Sequence, residues 1–225
     1  MPEPVTGDRV NPPAAMPSLE HDAADLRDQL IDAAYRLIHE RGLSALTTRE
    51  IAKAAGCSDG ALYTHFPTKS DLLFAVCQER LPDIRARVGD LIARVGSGVV
   101  ERNIEAIIRA AQHFYAELVP ISAAIASDYD LLMRHRRMFE SRDTGPRHTI
   151  DAVAAYIAAE QRIGRVEPRI SPHVFASMLL GPCYAAANIE RVLAEPAFGL
   201  ESEQFARALA HALWVGMAPK RRRAA

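Results

Sequence analysis

The chain has 225 residues, 49% of them hydrophobic and 24% charged, with a formal net charge of −1. That composition supports a buried core in an ordinary soluble protein and lacks the strongly basic balance that announces a nucleic-acid or membrane-surface binder. No apolar run approaches the roughly 20 residues needed to cross a bilayer. The opening MPEPVTGDRVNPPAAMPS has no basic segment followed by an apolar core, and Cys57, Cys77 and Cys183 form an odd, widely spaced set with no Cys-x-x-Cys pair. Together these predict reduced thiols in a cytoplasmic protein without a secretory signal.

Residues 1–20 hold Pro2, Pro4, Pro12, Pro13 and Pro17 and little that can be buried, so a disordered arm is expected there. Beyond it every segment has helical period and none has the alternation of a strand. Leu26, Leu30, Ala34, Leu37 and Ile38 line one face of a first helix, which Gly42 ends. Thr47 with Glu50 reads as a capping box opening a short second helix that Gly56 stops. Ser58 caps a third helix with Leu62 and Phe66 on one face, and Pro67 forbids its continuation. Thr68 with Asp71 starts a fourth helix carrying Leu72, Leu73 and Val76.

Longer helices fill the remainder. Leu81, Ile84, Val88, Leu91, Ile92 and Val95 continue a stripe that Pro82 is expected to kink, and Gly96-Ser97-Gly98 breaks the chain. Val100, Ile104, Ile107, Ile108, Ala111, Tyr115 and Leu118 form a face expected to close at Pro120. Helices are predicted over Ile121–Phe139 and Ile150–Ile163 around the polar ESRDTGPRH connector. Ser171-Pro172 opens a helix running to about Ala194, a last one spans roughly Glu203–Met217, and KRRR at 220–223 makes a basic end.

Two short helices joined by a Gly-containing turn, with a third ahead of them, describe a helix-turn-helix. Leu62 and Phe66 hold the second short helix inward, and Ala52 and Ala55 let the first approach closely. The outward set Ser58, Asp59, Gly60, Ala61, Tyr63, Thr64 and His65 is then small and polar, as a helix presented to a polar partner requires. The local charge argument is weak: Arg41, Arg49, Lys53 and Lys69 face Glu50 and Asp59.

The run from Thr47 to Leu73, T-x-x-E-I-A-x-x-A-G-C-S-x-G-A-L-Y-x-H-F-x-x-K-x-x-L-L, with Gly42 before it and an all-helical remainder, resembles the tetracycline-repressor (TetR) family. The resemblance covers about fifty residues, Asp22 to Leu73. It implies an all-α fold with an N-terminal three-helix DNA-binding domain at 21–70, following the arm at 1–20. A larger helical ligand-binding and dimerisation domain follows at 71–218, and a basic tail at 219–225. It also implies a homodimeric, ligand-responsive transcriptional regulator, most often a repressor, that binds a palindromic duplex operator and is released by a small-molecule effector. No metal or cofactor is expected.

On individual residues, the resemblance implies that Thr48 and Arg49 meet a phosphate at the start of the helix crossing the backbone. Tyr63, His65 and Lys69 match positions that usually hold phosphates beside the groove, while Ser58, Gly60, Ala61 and Thr64 sit where base edges are approached. Asp59 departs from the more usual neutral or basic residue and is read as facing solvent. Cys57 is read as a small buried hydrophobe.

In the remainder, Gly181, Ala185, Ile189, Leu209, Leu213 and Trp214 are the expected dimer contacts of a two-fold four-helix packing. Gln112, Tyr115, Tyr129, Met133, Phe139, Tyr184 and Asn188 are the expected pocket, an apolar set with polar anchors. The basic cluster from Arg134 to His148 fits a solvated face, an entrance for an acidic ligand or a phosphate patch, the first being favoured. An enzyme is the competing class, but no nucleophile elbow, P-loop, dinucleotide fingerprint or metal-spaced Cys/His cluster supports one. A helical adaptor that has lost DNA binding is the other alternative.

Overall fold

The computed structural model describes residues 19–42, 47–82, 84–142 and 146–219. The arm expected at 1–20, save its last two residues, and the KRRR tail lie outside the described residues. Ten α-helices follow in order among them: α1 Leu19–Arg41, α2 Thr48–Ala54, α3 Asp59–His65, α4 Lys69–Glu79, α5 Ile84–Ile92, α6 Val100–Ala126, α7 Tyr129–Arg142, α8 Pro146–Arg162, α9 Pro172–Leu193 and α10 Ser202–Met217. The fold is all-α, with no strand among the described residues.

The N-terminal helix ends are set by short-range chemistry. Thr47 accepts from the Glu50 N–H at 3.2 Å, and Ser58 accepts from the Ala61 N–H at 3.2 Å. Thr68 and Asp71 make the full reciprocal box, each side chain accepting from the other's backbone N–H. After α2 the Cys57 N–H donates to the Ala52 carbonyl at 2.9 Å and the Gly56 N–H to Lys53 at 3.2 Å. This is a Schellman ending, and it needs a left-handed residue at its centre. Gly56 supplies it with φ 73°.

Three expected breaks fall elsewhere. Helix α6 runs through Pro120 and ends at Ala126. The proline strands only the carbonyl of Ala116, an exposed residue where water can satisfy it. Its own ring is buried, and Ile121 and Ile125 beyond it pack into a core. The segment expected as one helix over Ile121–Phe139 is therefore split, and α7 starts afresh where Asp128 accepts from the Leu131 N–H at 3.0 Å. Pro82 separates α4 from α5 instead of kinking one helix, and α8 begins at Pro146, ahead of Ile150.

Buried side chains form two clusters. The first joins Leu30, Ile31, Ile38, Ile51, Leu62, Phe66, Leu72, Leu73 and Val76, from α1 to α4, with Ile121 and Ile125 of α6 and Leu131 of α7. The second joins Val88, Ile104, Ile107, Ile108, Tyr156, Ile157, Phe175, Leu179 and Phe205, from α5, α6 and α8 to α10. Helix α6 thus belongs to both, its first half in the second cluster and its last turns in the first.

Candidate functional site

Helix α3 is held by two inward residues, Leu62 at 0% and Phe66 at 4% exposure. With these fixed, Ser58, Asp59, Gly60, Tyr63 and Thr64 are exposed on one surface, while Ala61 and His65 are half-buried at its margin. Asp59 lies in the first turn of α3, where a carboxylate complements the positive helix end. Cys57 is half-buried against the first cluster, and burial, helped by Asp59, pushes its thiol up.

Gly60 is telling because nothing inside the molecule requires it. An added Cβ would meet only the Ser58 hydroxyl, at 3.8 Å, and its φ is helical. Glycine in a helix interior costs roughly 1 kcal/mol relative to alanine.

Tyr63 is 49% exposed, and its hydroxyl lies 3.3 Å from the Thr48 hydroxyl at the start of α2. That contact places the two expected phosphate-side groups together at one edge of the α3 surface, beside the exposed Arg49. Thr64 donates its hydroxyl to the Gly60 carbonyl at 3.0 Å, so its methyl group is the part turned outward from its own turn. Ser58 uses its oxygen as the cap of α3 and retains its O–H for a partner.

Lys69 opens α4, the end of a helix where a cation is disfavoured. Burial holds its ammonium below the ordinary lysine range, with Asp128 acting in the opposite direction.

The expected pocket set falls into separate parts. Tyr129 is 74% exposed. Phe139 packs with Phe74 and His135 in the α4–α7 seam. Tyr115 meets Tyr184 edge-on at 5.5 Å. Asn188 donates back to the Tyr184 carbonyl at 2.9 Å, and Met133 is half-buried on α7. Of this set, Gln112 lines a cleft of about 340 Å³ between α6, α9 and the start of α10.

Arg109, His113 and Ala116 of α6, Cys183 and Glu190 of α9, and Glu203 of α10 line it as well. Arg109 reaches Glu203 at 2.7 Å, and the Gln112 amide donates to the Ser202 carbonyl at 3.2 Å. The Gln112 carbonyl oxygen is buried without a hydrogen-bond partner. The spacing of Arg109, Gln112, His113 and Ala116 along one side of α6 was the available signal; what faces them is set by tertiary packing.

The expected dimer residues divide. Gly181 and Ala185 are exposed, and they lie on a stripe of α9 with Val174, Met178 and Val192 that no described residue covers. On α10 the matching exposed residues are Ala208, Ala212 and Val215. Ile189, Leu209 and Trp214 pack partly against the second cluster, and Leu213 is inside it at 8% exposure. Leu213 falls on the inward side because it is four residues from Leu209 and eight from Phe205, on the core-facing stripe.

The basic cluster is also divided. Arg134, Arg136, Arg137 and Arg147 are exposed, but His135 is buried at 3%, on the face of α7 shared with Leu131 and Phe139. Neither of its ring nitrogens has a hydrogen-bond partner, and burial lowers its pKa. Among the described residues no three His, Cys, Asp or Glu side chains gather as a metal site. No described helix is long and apolar enough to cross a membrane.

Residues 30–76 match the family described as bacterial regulatory proteins, tetR family. The HTH-type transcriptional repressor KstR2 of Rhodococcus jostii is 37% identical over 83 residues, 36% of this chain and 39% of its own length. The match therefore spans about two fifths of that relative. Among solved structures, NalD, the secondary repressor of the MexAB-OprM multidrug efflux pump of Pseudomonas aeruginosa, superposes with a TM-score of 0.62 at 20% identity, covering 89% of this chain and 99% of NalD. The transcriptional regulator FadR of Bacillus subtilis, in complex with stearoyl-CoA, gives 0.64 at 17% identity, covering 83% and 96%. At those identities the structural likeness establishes the shared fold.

Proposed function

We propose, starting from an N-terminal domain that belongs to the TetR family of bacterial regulatory proteins, that the whole chain is a homodimeric, effector-responsive transcriptional repressor of the cytoplasm. The observation that carries this is the α3 surface. Buried Leu62 and Phe66 present a short helix whose outer side is small, polar and bare at Gly60, flanked by Tyr63, Thr48, Arg49 and Lys69. A helix so presented fits a major groove, with Ser58, Gly60, Ala61 and Thr64 toward base edges and Tyr63, His65, Lys69, Thr48 and Arg49 toward phosphates.

The dimer forms through the exposed apolar stripes of α9 and α10, whose small residues allow close helix approach. Two-fold symmetry then places two copies of α3 on a palindrome, and a dimer seated on a promoter excludes polymerase without a dedicated contact surface. The effector enters the cleft between α6, α9 and α10, where Arg109, Gln112, His113 and Glu203 supply polar groups beside apolar walls. This agrees with neighbours of the same fold that are ligand complexes. In this division of the chain the reading head is residues 21–70 and the effector and dimer body is 71–218.

Selection of bound duplexes from a random library, at about 150 mM salt, tests the reading. Wild type is expected to enrich a palindrome, and the Tyr63→Ala/Lys69→Ala variant to enrich nothing. On the recovered palindrome, Lys69→Ala alone should flatten the slope of log affinity against log salt by about two for the dimer. Absence of enrichment at any salt would leave the chain a helical binding module without a DNA partner.

A further inference from the structure

We propose that the Tyr35 hydroxyl and Glu117, with His39 packed against the tyrosine ring, form a latch that sets the angle of the reading head on the body, and with it the spacing of the two heads in the dimer. This inference rests on the regulator reading above. Tyr35 and His39 lie one turn apart on α1, their rings 4.3 Å apart between centroids. The Tyr35 hydroxyl donates to Glu117 Oε2, and His39 Nε2 lies 3.1 Å from the same oxygen. The other ring nitrogen, Nδ1, lies 2.9 Å from the Tyr35 carbonyl, which can only accept, so Nδ1 carries the hydrogen. With its hydrogen on Nδ1, His39 makes no hydrogen bond through Nε2, so the Tyr35 hydroxyl makes the grip on the carboxylate and His39 backs the tyrosine through the ring contact. Burial, then the contact with Glu117, pushes the Tyr35 hydroxyl up to about 12.

The place of this contact makes it a positioning device. Below Glu117 on α6, Ile121 and Ile125 enter the apolar cluster of the head. Above it, Gln112, His113 and Ala116 line the cleft. Apolar contacts are non-directional and allow one helix to slide or tilt on another, whereas hydrogen bonds weaken steeply with misalignment. Burial of Ile121 and Ile125 therefore holds the head to α6, and the grip on Glu117 fixes its angle. A tilt at this joint is carried along the head to α3, and two heads must stand about 34–36 Å apart to enter successive major grooves. A ligand pressing on α6 at Gln112–Ala116 acts on the turn directly before Glu117.

The latch predicts a defect that appears only when both heads must bind at once. Tyr35→Phe keeps the ring and removes the hydroxyl, and Glu117→Ala removes its acceptor. Binding is measured on the palindrome recovered by selection and on a duplex holding one half of it. For both variants the palindrome affinity should fall roughly tenfold, the scale of one lost hydrogen bond to a charged acceptor, with half-site affinity staying within about twofold, because only the bivalent gain depends on spacing. If Glu117→Ala does not fold, Tyr35→Phe alone carries the test. Palindrome affinity unchanged in a folded variant, or falling in step with the half-site, overturns the latch. Failure of wild type to bind either duplex overturns the regulator reading itself, and the latch with it.

Discussion

The proposed head over residues 21–70 and the proposed body over residues 71–218 are both built of amphipathic helices around apolar clusters, yet their unusual groups differ in kind. In the head, costs to stability are visible one residue at a time: a glycine inside α3 that no neighbour requires and a lysine at the positive end of α4. In the body, the unusual groups are buried polar atoms whose meaning depends on what they face, such as the Gln112 oxygen in the cleft and the unpartnered imidazole of His135. The α3 surface proposed to meet DNA is built from local choices, whereas the cleft is built from distant ones. That is why the family match lies in residues 30–76.

The comparison breaks most sharply if the head does not depend on its inward residues. Leu62→Ala removes a side chain with no exposure and should cost about 3 kcal/mol of stability in denaturant unfolding, with loss of DNA binding. Full retention of both would mean that α3 is not held by its apolar side. Gly60→Ala sharpens the same point in the opposite direction. It should raise stability by about 1 kcal/mol while weakening binding of the selected palindrome about tenfold, since the new methyl occupies the surface toward the bases. A variant both more stable and equally tight would show that α3 does not approach its partner at Gly60.

The smallest effect is expected in the body, at His135. Its pKa is lowered in the folded chain, so the unfolded state binds protons more readily just below the ordinary histidine value of about 6.5. Its share of stability is complete above that value and is lost as pH falls toward the depressed folded value. His135→Leu should therefore melt at or above the wild-type temperature at pH 7 and lose less on going to pH 5. A steeper acid loss in the variant would show that the imidazole is paired when folded.

Much of the head was legible without coordinates. Thr47, Ser58, Thr68 and Gly56 act on backbone groups two to four residues away, so helix ends and the turn between α2 and α3 followed directly. The outward placement of Tyr63 and Thr64 then followed from Leu62 and Phe66 pointing in. The body misled wherever a local rule met a distant contact. Pro120 reads as a stop, but burial of Ile121 and Ile125 carries α6 past it. His135 reads as part of a basic surface, but Phe74, from another helix, covers it. Tyr129, Met133 and Phe139 read as pocket-like, but α7 lies on α4 and away from the cleft.

The sequence by itself determined that the chain is all-helical, where its N-terminal helices begin and end, and which side of α3 is free to read a partner. Caps, glycines, prolines and the 3.6-residue period act within a turn or two of the chain. Tertiary structure alone decided the cleft between α6, α9 and α10, the side of α10 on which Leu213 lies, and the hydrogen bond of Tyr35 to Glu117. Tyr35 and its carboxylate partner are 82 positions apart, and no periodicity links them. Only the packing of α1 on α6 brings them within hydrogen-bonding reach.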